Sequence, residues 1–190
     1  MIARLVIALC VAAVAVAVVV NFANAQEHPR SEKRTPVATA SMTLFFVVLT
    51  LLIGRRVGTV HVTNLALIYT LESVGVALTV LGTWINIKGR FDLKGNWGDQ
   101  IRIYDDHSLV TRGVYHYIRH PLYSGLFFMG YGASIAYANA LGVLLMSAVF
   151  VPMMFFRARQ EEVVLSGVFA EYADYKKRTG MFLPKILGRK

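Results

Sequence analysis

Two short polar stretches, set between long apolar segments, carry most of the side chains that could do chemistry. The first, residues 107–125, is rich in histidine and tyrosine and includes Arg119-His120-Pro121; the second, residues 157–162, combines two arginines with two adjacent glutamates. Imidazole and guanidinium groups bind anions, carboxylates accept hydrogen bonds from hydroxyl and ammonium groups, and phenol rings attract cations. The residue types suit a site for a charged small molecule, and equally a set of interfacial anchors with arginine and tyrosine at the membrane surface.

Proline and glutamate spacing predicts how helices present these two stretches. Pro121 predicts a helix start, because the first helical position does not need the N–H that proline lacks. His120, as the residue before a proline, is expected to be extended, with its imidazole toward the positive helix N-terminus and an anionic ligand there. Residues 157–162 are predicted to be helical, so that Arg157 can pair with Glu161, and Arg159 with Glu162.

The composition is that of a membrane protein. Of the 190 residues, 56% are hydrophobic and 16% are charged, with a mean hydropathy of +0.52. The net charge of +9 lies in clusters between apolar runs, so we expect membrane lipids and no nucleic acid as partners. The one cysteine, Cys10, lies in an apolar run, and the five histidines are too scattered to predict a metal site.

Four apolar runs predict the membrane spans: residues 5–22, 37–53, 59–87 and 122–156. The last run would be about 52 Å long as one helix, which is too long for a bilayer core of about 30 Å. It is therefore predicted to fold back at residues 138–142. The prediction is an all-α integral membrane fold of five transmembrane helices, the last two forming a helical hairpin, with a cytosolic loop and C-terminal helices. We expect a single domain, residues 1–190, in which residues 1–58 form two N-terminal spans and residues 59–190 the catalytic part.

Basic residues predict the orientation of the spans. The segments 30–34, 88–119 and 157–190 contain 17 of the 20 Lys and Arg residues, which predicts an N-terminus outside and a C-terminus and site in the cytosol. Trp84 and Trp97 flank the predicted inner end of the third span, as in an aromatic belt. The first run, followed by Ala23-Asn24-Ala25, also resembles a secretory signal peptide, but the arginines and lysine after it favour a retained span.

One ionisable residue, Glu72, is predicted to lie near the middle of the third span. An intramembrane carboxylate is costly, so a functional role is the default hypothesis. The alternative is a structural hydrogen-bond network with the nearby Asn64, Thr70 and Ser73.

At the two polar stretches the sequence resembles the isoprenylcysteine carboxyl methyltransferase family and its phospholipid methyltransferase relatives. The resemblance covers roughly residues 85–187. It rests on His107 with Leu109-Val110-Thr111 and Gly113-Val114-Tyr115, on Arg119-His120-Pro121-x-Tyr123-x-Gly125, and on Arg159-Gln-Glu161-Glu162 followed by Glu171-Tyr172-x-x-Tyr175-Lys176-Lys177-Arg178.

The resemblance implies S-adenosylmethionine as cofactor, in a pocket on the cytosolic face. It implies cofactor contacts at Gln100, His107, Ser108, Leu109, Val110, Tyr115, His120, Pro121, Leu122, Tyr123 and Glu162. In this scheme Tyr115 and Tyr123 face the sulfonium, Glu162 accepts hydrogen bonds from ribose hydroxyls, and His120 holds the cofactor carboxylate. Arg159 would orient the acceptor, a lipophilic molecule that is expected to be the carboxylate of a prenylated cysteine.

Other functions remain open from the sequence. A phospholipid amine or an isoprenoid hydroxyl is an alternative methyl acceptor. Sterol-type membrane reductases with a nicotinamide cofactor resemble the same Arg-His-Pro region, although this chain is short for them. A non-enzymatic membrane adaptor is the third alternative.

Overall fold

The protein is almost entirely helical. The computed structural model describes residues 2–23, 31–33, 36–93, 101–103 and 109–185. Within these ranges lie seven α-helices: α1 (Ile2–Ala23), α2 (Pro36–Gly54), α3 (Leu65–Leu93), α4 (Pro121–Ala136), α5 (Ala140–Leu145), α6 (Val151–Val168) and α7 (Tyr172–Arg178). A 3₁₀-helix, Gly113–His116, precedes α4, and a π-helix, Met146–Phe150, joins α5 to α6. Strands β1 (Ser31–Lys33) and β2 (Ile101–Ile103) pair antiparallel and are an exception to the predicted all-α fold.

Membrane-spanning length is reached by three stretches of the described chain. Ile2–Asn21, Leu65–Leu93 and the continuous Ala140–Val168 are long and apolar enough to cross a bilayer. A shorter apolar helix covers Ala40–Gly54, and α4 has 16 residues, about 24 Å at 1.5 Å per residue. These helices support an integral membrane protein. Among the described residues, three helices are long and apolar enough to cross a bilayer, so the predicted number of five spans is not confirmed.

Helix α3 differs from its predicted bounds at both ends. It begins at Leu65 and not at Thr59, because the Asn64 side chain caps it by accepting the N–H of Leu67 at 3.1 Å. At the other end the helix continues past Ile87 to Leu93, through a polar last turn that contains Lys88 and Asp92. The Asn64 side chain accepts the N–H of Leu67, and the Thr70 hydroxyl donates to the Ala66 carbonyl, so both bond to the backbone of α3. Neither side chain therefore joins the hydrogen-bond network that was the alternative role for Glu72.

The packing of α3 against α4 is the most extensive helix contact in the described chain, and it depends on small residues. Gly75 and Gly82 of α3 meet Gly132 and Gly125 of α4, so that the two backbones touch. At the polar end, the buried Asn86 donates from Nδ2 to the Leu122 carbonyl at 2.9 Å. Close backbone approach and an interhelical hydrogen bond are the interactions that stabilise helix pairs in a bilayer.

The predicted fold-back at residues 138–142 is confirmed. Helix α4 ends at Ala136, Ala138 adopts a left-handed conformation (φ 48°), and the buried Asn139 caps α5 by accepting the N–H of Gly142 at 2.7 Å. Asn139 also donates to the Val57 carbonyl at 2.9 Å, which attaches the hairpin tip to the turn after α2.

Beyond the hairpin tip, one long helical rod runs from α5 through the π-helix to the end of α6. Its first half packs on α2, where Leu49 lies with Met146, Phe150 and Met154 in a buried apolar cluster. The helical prediction for residues 157–162 is confirmed, because α6 continues past Phe156 to Val168. The predicted C-terminal helix is divided there: Phe169 is extended (φ −108°, ψ 111°), and α7 begins at Tyr172.

Close packing of α3 and α4 yields a stability prediction at Gly82. A Cβ atom there would lie 2.5 Å from the Gly125 carbonyl oxygen and 2.8 Å from the Phe128 Cβ, so Gly82→Ala must separate the helices. We expect it to destabilise the fold by about 1–3 kcal/mol, seen as a lower unfolding temperature in detergent. The matched control is Gly167→Ala in α6, where a Cβ meets nothing within 4 Å and alanine favours the helix. Equal unfolding temperatures for the two variants would contradict this packing.

Candidate functional site

The loop that leads into α4 is fixed at its start by the end of α3. The Asp92 carboxylate forms an ion pair with Lys88 and accepts a hydrogen bond from the backbone N–H of Val114 at 3.0 Å. Gly113 has φ 61° and lies so close to Asp92 that a side chain would collide with the carboxylate. This contact sets the 3₁₀-helix in place, and the half-buried Leu109 and Val110 lead into it.

The C-terminal segment after α7 runs beside the last residues of this loop. The N–H of Arg119 donates to the Gly180 carbonyl at 2.9 Å, and the N–H of His120 donates to the Met181 carbonyl at 3.0 Å. The Ser124 hydroxyl donates to the Phe182 carbonyl at 2.6 Å. Residues 117–120 are therefore held between the C-terminal segment and helix α6.

His120 lies between two carboxylates of α6. Its Nδ1 is 3.3 Å from Glu161 Oε2, and its Nε2 is 3.5 Å from Glu162 Oε1. The imidazole is buried and stacks nearly parallel to the Tyr123 ring, at 8° with centroids 5.7 Å apart. The predicted orientation toward an anionic ligand at the N-terminus of α4 is thus corrected: the imidazole faces two acidic side chains of the protein itself.

Tyr123 and Arg157 complete the environment of Glu161. The Tyr123 hydroxyl donates to Glu161 Oε1, and Arg157 Nε donates to the Tyr123 hydroxyl at 2.8 Å. Arg157 Nε also lies 3.4 Å from Glu161 Oε1, so the predicted pairing of Arg157 with Glu161 is confirmed.

Glu162 is the more deeply buried of the two glutamates, with 2% of its side chain exposed. Arg119 Nε lies 2.8 Å from its Oε1, and Lys176 Nζ lies 2.9 Å from its Oε2. Arg159, which was predicted to pair with it, is exposed and lies with its guanidinium 5.1 Å from the centroid of the Phe155 ring. That prediction is wrong because cations from the α4 loop and from α7 contact both Glu162 oxygens.

Buried charges set the proton affinity of the site. Burial disfavours the charged imidazole, but the hydrogen bonds and charges of Glu161 and Glu162 outweigh it and raise the pKa of His120 above its ordinary value. Burial raises the pKa of the Tyr115 phenol well above its usual range, so that this phenol stays neutral. Three basic side chains, Arg119, Arg157 and Lys176, face the two carboxylates, which leaves an excess of positive charge.

Such a cluster suits a ligand that carries charges of both signs. The excess of cations, together with the first N–H groups of α4, favours a carboxylate. The two glutamates favour an ammonium group or hydroxyls. Within the described ranges, no group of three or more His, Cys, Asp or Glu side chains is placed to hold a metal ion.

Comparison with known families identifies the part of the chain that contains every member of this cluster except Lys176. The family model described as phospholipid methyltransferase matches residues 70–172, more than half of the chain. The chain belongs to the phospholipid methyltransferase family. The predicted resemblance to this group and to isoprenylcysteine methyltransferases is confirmed, since the matched relatives include enzymes of that name.

Individual relatives of this family member show how far the likeness extends. Protein-S-isoprenylcysteine O-methyltransferase from Mus musculus is 35% identical over 126 residues, 63% of this chain and 44% of the relative. The protein of the same name from Saccharomyces cerevisiae is 40% identical over 84 residues, 43% of this chain and 34% of the relative. This chain therefore spans less than half the length of both relatives.

A solved structure is also similar. The structure of a eukaryotic intramembrane Ras methyltransferase, isoprenylcysteine carboxyl methyltransferase, matches with a TM-score of 0.53 and 25% sequence identity. The match covers 83% of this chain and 56% of that chain. The likeness thus includes most of the helical arrangement described above.

The predicted cofactor residues of this family member fall into three groups. Gln100, His107 and Ser108 lie outside the described residues. His120, Tyr123 and Glu162 are brought together in the cluster, with Pro121 and Leu122 at the start of α4 beside them. Tyr115 is buried in the 3₁₀-helix, where its carbonyl accepts the Tyr175 hydroxyl at 2.6 Å, and Leu109 and Val110 enter the same loop.

Three members of the cluster had no site role in the sequence prediction. Arg119 and Lys176 belong to the motifs of the resemblance but have no assigned role, and Arg157 is predicted only as the partner of a helical ion pair. The helical spacing of Arg157 and Glu161 was a usable signal for one of them. Nothing local in the sequence indicated that the end of α7 returns to the loop before α4, because that contact depends on the turn at residues 169–171.

The raised pKa of His120 predicts a pH-dependent contribution to stability. Protonated His120 stabilises the fold fully below the ordinary pKa of about 6.5, and this contribution is lost as the pH rises through the raised pKa. We therefore expect His120→Gln to lower the unfolding temperature more at pH 5.5 than at pH 9, with charge-assisted hydrogen bonds worth about 1.5–3 kcal/mol at the acidic end. The exposed His116→Gln is the control. A His120→Gln effect that is constant with pH would contradict the assigned contacts.

Proposed function

We propose that this chain transfers the methyl group of S-adenosylmethionine to a lipophilic acceptor, the carboxylate of a prenylated cysteine. The observation that carries the proposal is the buried cluster of His120, Tyr123, Arg157, Glu161 and Glu162, which lies inside the segment matched by the methyltransferase family model. Relatives named protein-S-isoprenylcysteine O-methyltransferase support the same chemistry.

The chemistry of the cluster fits S-adenosylmethionine. The cationic excess and the N-terminus of α4 suit the carboxylate of its amino-acid part. A glutamate oxygen suits its ammonium group or ribose hydroxyls, and the Tyr123 ring suits the positive sulfur through cation–π attraction. Glu161, 22% exposed, is the more accessible carboxylate for this purpose, while Glu162 is engaged by Arg119 and Lys176.

The residues of the site have a limited task in such a reaction. S-adenosylmethionine supplies a methyl group on a sulfonium, and a carboxylate oxygen displaces the sulfur in line, taking the methyl group while the S–C electron pair leaves with the thioether. A carboxylate acceptor is already ionised at neutral pH, so the protein needs no general base. The site must bind both molecules, align them and exclude water, which is the part of catalysis that depends on rigid positioning.

An exposed apolar surface beside the cluster supports a lipophilic acceptor. Phe155 and Phe156 of α6 are exposed next to Arg157, on a helix long and apolar enough to lie in a bilayer. A prenyl chain in the membrane can lie along such a surface while its polar end reaches the cluster. The hydrophobic acceptor would explain why the site is built at the end of membrane helices.

A phospholipid amine is the second candidate acceptor, favoured by the family model whose description is phospholipid methyltransferase. An amine must lose a proton before it attacks, so this reaction requires a base at the site. Glu161 is the candidate for this base, because it is the more exposed of the two carboxylates and contacts His120 and Tyr123.

The acceptor class is tested directly by methyl transfer in detergent or vesicles. We expect methyl-labelled S-adenosylmethionine to label a prenylcysteine acceptor but not the same cysteine without its prenyl chain. Phosphatidylethanolamine and an isoprenoid quinol complete the panel. If only phosphatidylethanolamine is labelled, the acceptor is a phospholipid amine and not a prenylated cysteine. If no acceptor is labelled, the proposed function is refuted.

Two arginines in the middle of α6, Arg157 and Arg159, are the candidates for orienting the acceptor carboxylate. The sequence prediction names Arg159, but Arg157 lies inside the cluster against Tyr123 and Glu161, so we propose the role for Arg157. Lysine keeps the charge and loses the planar fork that aligns two oxygens. We expect Arg157→Lys to bind S-adenosylmethionine and to methylate up to about 100-fold more slowly.

The matched control for this experiment is Arg159→Lys. A lysine can anchor at the membrane surface as arginine does, so its turnover should stay near that of the unaltered protein. Calorimetric titration with S-adenosylmethionine and a radiometric assay on the same preparations separate binding from turnover. A slow Arg159→Lys together with a normal Arg157→Lys would restore the role to Arg159.

We further propose that five helical passes cross the membrane, with the N-terminus outside and the site in the cytosol. Arg4 lies 5.9 Å from the Tyr137 ring, and Arg55 and Arg56 adjoin Val57, which binds the hairpin tip through Asn139. The three basic residues assigned to the outside thus share one end of the bundle, opposite the cluster. The positive-inside rule then favours a cytosolic cluster.

Cysteine labelling tests this orientation. In intact cells, a membrane-impermeant thiol reagent should label a cysteine introduced at Arg56 and miss one introduced at Arg178, both of which are exposed. Cys10→Ser serves as the background for both variants. The opposite labelling pattern would invert the proposed orientation.

A further inference from the structure

One side chain, Arg119, connects three separate parts of the chain at the site. Its Nε donates to Glu162 Oε1 at 2.8 Å, and its Nη1 donates to the carbonyl oxygens of Lys176, at 3.2 Å, and of Thr179. These two carbonyls belong to the last turn and cap of α7, where a helix leaves its carbonyl groups without intrahelical partners. Only 7% of the arginine side chain is exposed.

The groups that Arg119 holds are the ones that hold His120. Glu162 Oε1 binds Arg119 and also lies 3.5 Å from His120 Nε2. The chain that follows α7 carries the Met181 carbonyl, which accepts the backbone N–H of His120 at 3.0 Å. The imidazole is therefore fixed from one side by a carboxylate and from the other by a backbone segment, and both are tied to the same guanidinium.

We infer that Arg119 is a positioning residue: by joining Glu162 to the end of α7, it keeps the His120 imidazole between Glu161 and Glu162. Its effect on methyl transfer rests on the proposed function, whereas its effect on His120 does not. The planar guanidinium is required because a carboxylate and two carbonyls must be bound at once in different directions. A lysine ammonium keeps the charge but lacks this fork.

The competing explanation is that Arg119 acts only as a positive charge that neutralises Glu162. The two explanations predict opposite changes at His120. The ring of His120 lies against Glu161 and Glu162 of α6 and Tyr123 of α4. Three cations act on it through the carboxylates, Arg119 and Lys176 through Glu162 and Arg157 through Glu161, and the Tyr172 phenol of α7 also lies near Glu162. If geometry is kept, Arg119→Lys leaves the pKa of His120 unchanged, and Arg119→Gln raises it, because Glu162 beside the imidazole then keeps only Lys176 as a neighbouring cation from outside the ring.

Positioning predicts that both substitutions lower the pKa of His120 toward its ordinary value of about 6.5, because the ring loses its contact with Glu162. The measurement is an NMR titration of the detergent-solubilised protein with labelled histidine, without cofactor or acceptor, with the His120 signal assigned by its loss in His120→Gln. The matched control is Arg112→Gln, an exposed arginine of the same loop, which should leave the titration unchanged.

Amide hydrogen exchange of the same variants reports on the docking of the C-terminal segment. In Arg119→Lys, the peptide that contains residues 179–183 should exchange faster, while the hairpin tip around Asn139 keeps its protection. An unchanged or raised His120 pKa with unchanged exchange would reduce Arg119 to a counter-charge and overturn the inference. Loss of protection at the hairpin tip in both the lysine and the glutamine variant would make Arg119 a residue of the global fold, which also overturns it.

Kinetics then connect the inference to the proposed reaction. With an active wild-type protein, Arg119→Lys should lower kcat by up to about 100-fold, since the cofactor and acceptor are no longer aligned, with a smaller change in KM. A lowered His120 pKa with wild-type kcat would overturn the catalytic part of the inference. If the wild-type protein methylates nothing, the proposed function fails, and the His120 titration still decides the position of Arg119.

Discussion

Burial of the Glu162 carboxylate is the constraint on which the rest of the site depends. A carboxylate with 2% of its side chain exposed is stable as a charge only when cations and hydrogen-bond donors surround it. The protein supplies these from two places in the sequence outside α6: Arg119 and His120 of the loop before α4, and Lys176 of α7. One buried charge thereby forces three distant segments to meet, and the meeting point is the candidate active site.

The remainder of the fold brings these segments to one end of the bundle. Close packing of α3 on α4 fixes where the loop before α4 begins, and the contact of Asp92 with Val114 fixes its course. Asn139 fixes the other end of α4 against the turn after α2. The apolar helices thus act as a frame, and the polar side chains that stabilise the frame differ from those of the cluster.

Much of this arrangement follows from the sequence because the bilayer restricts what an apolar chain can do. Uncharged runs indicate helices, the excessive length of residues 122–156 requires the fold-back that the structure contains, and Pro121 begins α4 as expected. Motif resemblance identified His120, Tyr123 and Glu162 as residues of one site. The predicted pairing of Glu162 with Arg159 was wrong, because the partners of Glu162 are Arg119 and Lys176, which are distant in sequence. Lys176 reaches Glu162 only because the turn after α6 brings α7 back to the cluster, and no local spacing in the sequence specifies that turn.

The π-helix between α5 and α6 has a consequence for the register of the long rod. A wider turn shifts every later residue by about one position around the helix, or about 100° of rotation. Met146 and Phe150, inside this turn, pack on α2, whereas Arg157 and Glu161 beyond it face Tyr123 of α4. The extra residue rotates the following side chains about the helix axis, so that one helix packs on α2 with its first half and contacts α4 with a different face of its second half. Homologues that lack it would need their acidic pair one position away in sequence to reach the same tyrosine.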